Sequence, residues 1–276
     1  MTPSHGGAAG EVRPAPGDLA GTTARDGLFG PGSVTWRVHS DPTYPLAVLR
    51  ALMMQVLHVP AMSVVFATAR RLDDPWERLH HSVQVLGTMT FGDAAEAAIM
   101  GARERSVRMQ VTGSLPDGRH FRGDDVDVLR WLHACQVDSA LEVTARCGLE
   151  LSDASCNQYL REQARAAAVT GLEPEEVPRS RAELLRALKA DRSQLRVTRE
   201  AREFMQEIVS PALPAAMLAA QRNRPSWAPI AGLVFPTLPH WARSLYGPPP
   251  EGSPAALSPS AATIALHTLR DSLRTL

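Results

Sequence analysis

The segment from Asp74 to Phe91 constrains the fold most, because it combines a helix start with apolar residues on two opposite faces. Asp74, Pro75 and Glu77 stand at the N-cap, N1 and N3 positions of a helix. At about 100° per residue, one apolar stripe contains Trp76, Leu79, Val83, Leu86 and Thr90. The opposite stripe contains Arg78, His81, Ser82, Val85 and Met89. This second stripe is therefore not a simple solvated face.

The polar members of the second stripe allow two interpretations. Arg78 could bind a carboxylate, His81 a metal ion or a proton, and Ser82 could form a hydrogen bond, so the stripe could serve a buried ligand. Alternatively, the helix is amphipathic with a partly solvated polar face, and the residues alone favour this second interpretation. His80 leans towards the apolar side with Trp76, which favours a hydrogen-bonded core histidine over a ligand.

Helical patterns extend over nearly the whole chain and predict an all-α, single globular helical domain with few or no strands. We predict further helices over residues 44–69 (bent near Pro60), 94–111, 125–146, 152–169, 183–190, 198–209 and 261–276. Residues 33–38 are a strand candidate, and a hairpin is predicted around 116–121. The stretch 44–69 contains Arg50, Gln55, His58 and Pro60, which exclude a membrane span.

Three regions follow from composition along the chain. Residues 1–25 are rich in Gly, Ala, Pro and Thr, which predicts a disordered leader. Residues 26–246 form the predicted helical domain. Residues 247–276 begin with a Pro/Gly-rich linker and end in a helix, which has one apolar face with which to dock on the domain.

Charge and motifs narrow the class of partner. The chain has 29 basic and 29 acidic residues, and therefore lacks the basic field that nucleic acid or a polybasic membrane anchor requires. Cys135, Cys147 and Cys156 match no zinc or redox spacing, and their odd number is typical of a reducing compartment. Motifs for nucleotide loops, zinc hydrolases and serine esterases are missing. We predict a cytoplasmic protein that acts on a small molecule, without nucleic acid or stable membrane insertion.

Six blocks, in order, resemble the MpaB-type oxygenase family, whose catalytic domain is shared with the latex clearing proteins (rubber oxygenases). They are residues 30–39, 50–55 with His58, 74–79, 91–93, 131–139 and 239–246. The resemblance implies an oxidoreductase with a haem-pocket-type helical bundle around haem b, using dioxygen on apolar, often isoprenoid, substrates. The family's Arg-x-x-basic-Thr element maps onto Arg78, His81 and Ser82, which implies that these three residues are catalytic.

One departure from the family concerns the iron ligand. The family's axial histidine begins a His-x-x-Val-x-Gly element, which here starts with Arg108 and keeps Val111 and Gly113. A guanidinium stays protonated and offers no lone pair to iron. No histidine lies between His81 and His120, so a shift in register cannot restore the ligand.

Two accounts of this departure stay open. In the first, haem is retained, with His81 as the metal ligand and His80 or His133 as the next candidates, so that the cofactor-binding set is His81, Arg108, His133 and His80. His133 lies on a mostly apolar helix, where core packing is the ordinary interpretation. In the second account haem is lost, and the cavity serves a redox-neutral reaction or binds a small anionic metabolite held by Arg108 and Arg78.

Overall fold

Twelve α-helices and one short hairpin make up the computed structural model, which describes residues 27–69, 75–115, 117–190, 192–209 and 227–275. The first six helices of this part of the chain are α1 (Val34–His39), α2 (Tyr44–Gln55), α3 (Val59–Ala69), α4 (Pro75–Phe91), α5 (Ala94–Met109) and α6 (Val126–Arg146). The other six are α7 (Asp153–Thr170), α8 (Arg181–Ala190), α9 (Arg199–Val209), α10 (Trp227–Gly232), α11 (His240–Tyr246) and α12 (Pro259–Arg274). The all-α prediction is confirmed.

Side-chain caps explain where several helices begin. Asp93 and Glu96 form a capping box at the start of α5, and Ser152 Oγ accepts the Ser155 N–H at the start of α7. The Ala201 N–H donates to Thr198 Oγ1, as the sequence predicts for α9. Each cap satisfies backbone donors that a helix cannot pair internally, so these boundaries follow from local sequence.

The predicted hairpin is confirmed, although it is small. Strands β1 (Thr112–Ser114) and β2 (His120–Arg122) pair in antiparallel fashion, with Gly113 opposite Phe121. The connecting turn includes Gly118, whose φ of +83° is a conformation that glycine adopts without strain. The hairpin follows α5 directly and leads into α6.

The core is centred on α2 and α6, which cross-link through polar as well as apolar contacts. Nearly all of α2 is buried, including Arg50. The Arg50 guanidinium Nη1 donates to Asp138 Oδ2 and to Ser139 Oγ, both at 2.8 Å. The Trp131 indole donates to the Gln55 backbone carbonyl at 3.3 Å. Side chains of α6 are therefore held in place by α2.

The C-terminal helix α12 docks on the rest of the domain. Ala262 and Leu266 are fully buried along one face of the helix. Arg270 Nε donates to the buried Asp41 carboxylate at 2.8 Å, which joins the chain's end to the loop before α2. The docking that the apolar face predicts is thus present.

The structure differs from two of the elements predicted from sequence. The strand predicted over 33–38 is wrong, because these residues begin α1. The single bent helix over 44–69 is two helices, since the chain turns at residues 56–58 between α2 and α3. Asp74 and the predicted leader lie outside the described residues. Within the described ranges, no helix combines the length and apolar character that crossing a membrane demands.

Candidate functional site

A cavity of about 200 Å³ lies among α2, α4, α5, α6 and α7. Half of its lining residues are aliphatic, and Phe204 of α9 adds an aromatic ring. Its polar lining residues are His39, Gln55, His81, Ser82, Glu104, Arg108, His133, Gln136, Gln163 and Thr170. A mainly apolar cavity with a few convergent polar groups is the usual form of a small-molecule site.

Four of the six site residues predicted from sequence line this one cavity. His81 and Ser82 reach it from α4, Arg108 from α5 and His133 from α6. Val85 and Met89 line it as well, so the second stripe of α4 faces the cavity along most of its length. Arg78 lies on α4, but its side chain is outside the described part of the structure.

His80 is exposed and is not among the residues that line the cavity. The prediction that it packs in the core is wrong. His80, Gln84 and Phe91 are all exposed and lie 4 and 7 residues apart, which places them on one solvent-facing stripe of α4. One helical step of about 100° therefore separates a solvated histidine from His81 on the cavity.

Arg108 joins α5 to α7 at the cavity wall. Its Nη1 donates to the Thr170 carbonyl at 3.2 Å, and its Nη2 lies 4.0 Å from Glu104 Oε2. Burial lowers the pKa of the guanidinium, Glu104 raises it and Arg105 lowers it. Arginine nevertheless remains cationic in proteins, so Arg108 is a donor and a tether here and offers no lone pair to a metal.

His133 carries an unsatisfied nitrogen. Its Nε2 is buried and has no hydrogen-bond partner in the described part of the chain. Burial lowers the pKa of the imidazole to about 4, so the ring is neutral near pH 7. A neutral imidazole with a free lone pair is the form that binds metals.

His39 lines the cavity too, and sequence reasoning did not single it out. The Thr90 hydroxyl donates to the Leu86 carbonyl at 2.8 Å, so its oxygen accepts from His39 Nδ1 at 2.6 Å. His39 Nε2 then accepts from the Tyr159 hydroxyl at 3.1 Å. Burial lowers the pKa of His39 to about 3. Both ring nitrogens are thus occupied, and the ring is neutral.

Three glutamines also line the cavity, and none of them was among the site residues predicted from sequence. Gln55 Nε2 donates to the Leu132 carbonyl at 3.0 Å. Gln136 Nε2 donates to the Tyr44 hydroxyl at 3.2 Å, and Gln163 Nε2 donates to Thr35 Oγ1 at 3.1 Å.

Clustered metal ligands are not found in the described ranges, where no group of three or more His, Cys, Asp or Glu side chains could hold an ion. The three cysteines are buried and form no disulfide. A haem iron differs from such a site, because the porphyrin supplies most of its ligands and the protein one or two. One or two of the cavity histidines would therefore be enough to hold a haem iron.

Comparison with known proteins identifies one family. The catalytic domain described as that of the ER-bound oxygenase mpaB/B′ and of rubber oxygenase matches residues 36–269. The matched range contains every polar residue of the cavity wall and most of α12. No curated protein and no solved structure matches the chain. The resemblance drawn from the six sequence blocks is confirmed.

Proposed function

We propose that this chain, which belongs to the family of the mpaB/B′ and rubber oxygenase catalytic domains, uses haem b and dioxygen to oxidise a small apolar substrate. Family membership supports an oxygenase at the level of the family. The use of haem and dioxygen and the class of substrate are the proposal. One observation carries it: His81, Ser82, Arg108 and His133, from three different helices, meet at one mainly apolar cavity. An isoprenoid or another apolar metabolite fits such a wall.

The residues present fit a haem in their chemistry. His81 and His133 each provide an imidazole at the cavity, and His133 Nε2 is buried without a partner. The bound haem would supply an iron that binds and activates dioxygen. An imidazole from His81 or His133 would hold that iron.

The chain's own groups have separate tasks in this proposal. The aliphatic wall and Phe204 would exclude water and hold the apolar substrate by contact. Ser82 and Arg78, which the family resemblance implies as catalytic, would donate hydrogen bonds that orient dioxygen. His39 keeps its tautomer through Thr90 and Tyr159, so it would present a fixed neutral ring to the cavity.

The haem-free alternative requires Arg108 to clamp an anion. Its guanidinium is already engaged by the Thr170 carbonyl, and the Glu104 carboxylate lies 4.0 Å away. A ligand anion would have to compete with that carboxylate, which disfavours the clamp.

The proposal also places the protein in the cytoplasm, which the odd number of cysteines supports. Cell fractionation tests this location.

Hemin titration of the purified full chain tests the proposal. We expect a Soret band that saturates at one hemin per chain, and a shift of that band when carbon monoxide is added to the reduced protein. The variant His80→Ala, altered on the solvent-facing stripe of α4, should give the same titration. If the spectrum of added hemin stays that of free hemin, the haem oxygenase is refuted and the haem-free alternative remains.

A further inference from the structure

We propose that His133 is the iron ligand in this chain, in place of the histidine that the family carries where Arg108 stands. The inference rests on the proposed function, because it requires haem. It names the residue that ligates, whereas the sequence prediction placed His81 first. The contacts of the three imidazoles on the cavity decide between the candidates.

His39 is unsuited to the role. Its Nδ1 donates to Thr90 and its Nε2 accepts from Tyr159, so binding iron would break a buried hydrogen bond. The Tyr159 hydroxyl, fully buried, would then lose its acceptor. Two imidazoles remain, His81 and His133.

The two remaining rings differ in what satisfies their nitrogens. His81 and His133 are both half-buried, and among the described residues His81 has no ring nitrogen that is buried without a partner. His133 Nε2 is out of reach of water and has no partner among the described residues. A buried polar atom without a partner costs free energy, and a ligand that binds there is one recognised reason for its presence. Iron would take up the lone pair of His133.

Hydrogen bonds to α2 anchor the helix that carries His133. On its N-terminal side, the Trp131 indole donates to the Gln55 carbonyl, and the Gln55 amide donates to the Leu132 carbonyl. On its C-terminal side, Asp138 is tied to Arg50. The α6 backbone on both sides of His133 is therefore tied to α2. Metal ligands perform best when their surroundings fix their orientation.

Resonance Raman and absorption spectra of hemin-loaded variants test the ligand directly. The ferrous wild type should show an iron–imidazole stretching band. His133→Ala should lose this band and bind hemin at least about tenfold more weakly. Added imidazole should restore the wild-type absorption spectrum. His81→Ala should keep the band, and His80→Ala, on the solvent-facing stripe, should match the wild type.

A second pair of variants guards against simple misfolding. His133→Gln keeps most of the side-chain volume and should also lose the band. Combining His133→Ala with Arg108→His returns the histidine to the family's position and should restore an imidazole ligand. Circular dichroism of each variant reports its fold independently of haem.

The outcomes separate the two proposals. If the wild type takes up no hemin, the proposed function fails, and this inference fails with it. If the wild type binds hemin through an imidazole and both folded His133 variants keep the band, His133 is not the ligand, although the haem function stands. Loss of the band in His81→Ala alone would likewise overturn the inference in favour of His81.

Discussion

Arg50→Met is expected to destabilise the fold strongly, because it breaks a buried ion pair from one side. Arg50 and Asp138 lie 2.8 Å apart, with 3% and 18% of their side-chain surfaces exposed. Arg50 also donates to Ser139 Oγ and to the Thr237 carbonyl. Breaking a buried pair typically costs about 3–5 kcal/mol. We expect about 3 kcal/mol here, since water reaches part of Asp138 and offsets some of the loss.

Urea denaturation followed by far-ultraviolet circular dichroism measures this loss. The matched control is Arg119→Met, which breaks the pair with Asp117, also 2.8 Å long but with 64% and 53% of the side chains exposed. This control should leave the free energy of unfolding nearly unchanged. The double variant Arg50→Met with Asp138→Leu should recover part of the loss, because no buried charge is left over. Equal effects of Arg50→Met and Arg119→Met would refute the reasoning.

Three further variants probe other parts of the fold. The pKa of His39 is about 3 when folded against an ordinary 6.5, so the unfolded chain takes up the proton first as pH falls. Thermal unfolding should therefore show a loss of about 2 kcal/mol from this group between pH 7 and pH 5, and His39→Gln should remove that part. Arg270→Ala leaves the buried Asp41 unpaired, and limited proteolysis should then cut α12 faster. Gly148→Ala should cost about 1–3 kcal/mol in urea denaturation, because φ is +90° and a Cβ would collide with the His267 ring.

Matched controls separate each cause from general damage. Gly118→Ala has a similar φ of +83° but open space around the Cβ, so it reports strain alone. Equal losses at the two glycines would contradict the collision. Arg274→Ala, at the exposed end of α12, should leave proteolysis unchanged. His240→Gln alters an exposed histidine and should keep the acid-induced loss; if it removed as much as His39→Gln, burial of His39 would not be the cause.

The sequence predicted helices well where caps and periodicity act locally, and it failed where a distant residue decides. Val34, Thr35 and Val38 are β-branched and favour a strand. In the structure the Glu162 carboxylate accepts the Thr35 N–H at 2.8 Å, across 127 residues of sequence. A carboxylate at a helix N-terminus satisfies free donors and opposes the helix dipole. This tertiary contact stabilises α1 against its local preference.

For the candidate site, too, local patterns predicted part of the arrangement, and contacts between distant residues decided the rest. The helical period alone brought His81, Ser82, Val85 and Met89 onto one line, and that line faces the cavity. The helical period does not show which side of α4 meets solvent, and the prediction that His80 lies in the core is wrong for that reason. His39 was missed because its hydrogen-bond partner Tyr159 is 120 residues away. Pairing across such distances is a property of packing, which local patterns do not encode.

We predict that the chain folds without haem, because contacts within the protein already satisfy polar groups that line the cavity. Arg108 bonds the Thr170 carbonyl with Glu104 nearby, and both nitrogens of His39 are paired. His133 Nε2 is the exception among the described cavity residues, and one unpaired nitrogen costs only about 1–3 kcal/mol.

That cost is a fraction of the 5–15 kcal/mol that typically stabilises a domain. The α5–α7 contact made by Arg108 holds α5 without a metal, so attachment of the cofactor and packing of α5 are separate in this chain. The apoprotein should accordingly show full helical circular dichroism and one cooperative thermal transition. Hemin should raise the transition temperature in proportion to the logarithm of its free concentration, as binding to the folded state alone requires. An apoprotein with little helix would contradict this view, because the packing of α5 would then depend on the cofactor after all.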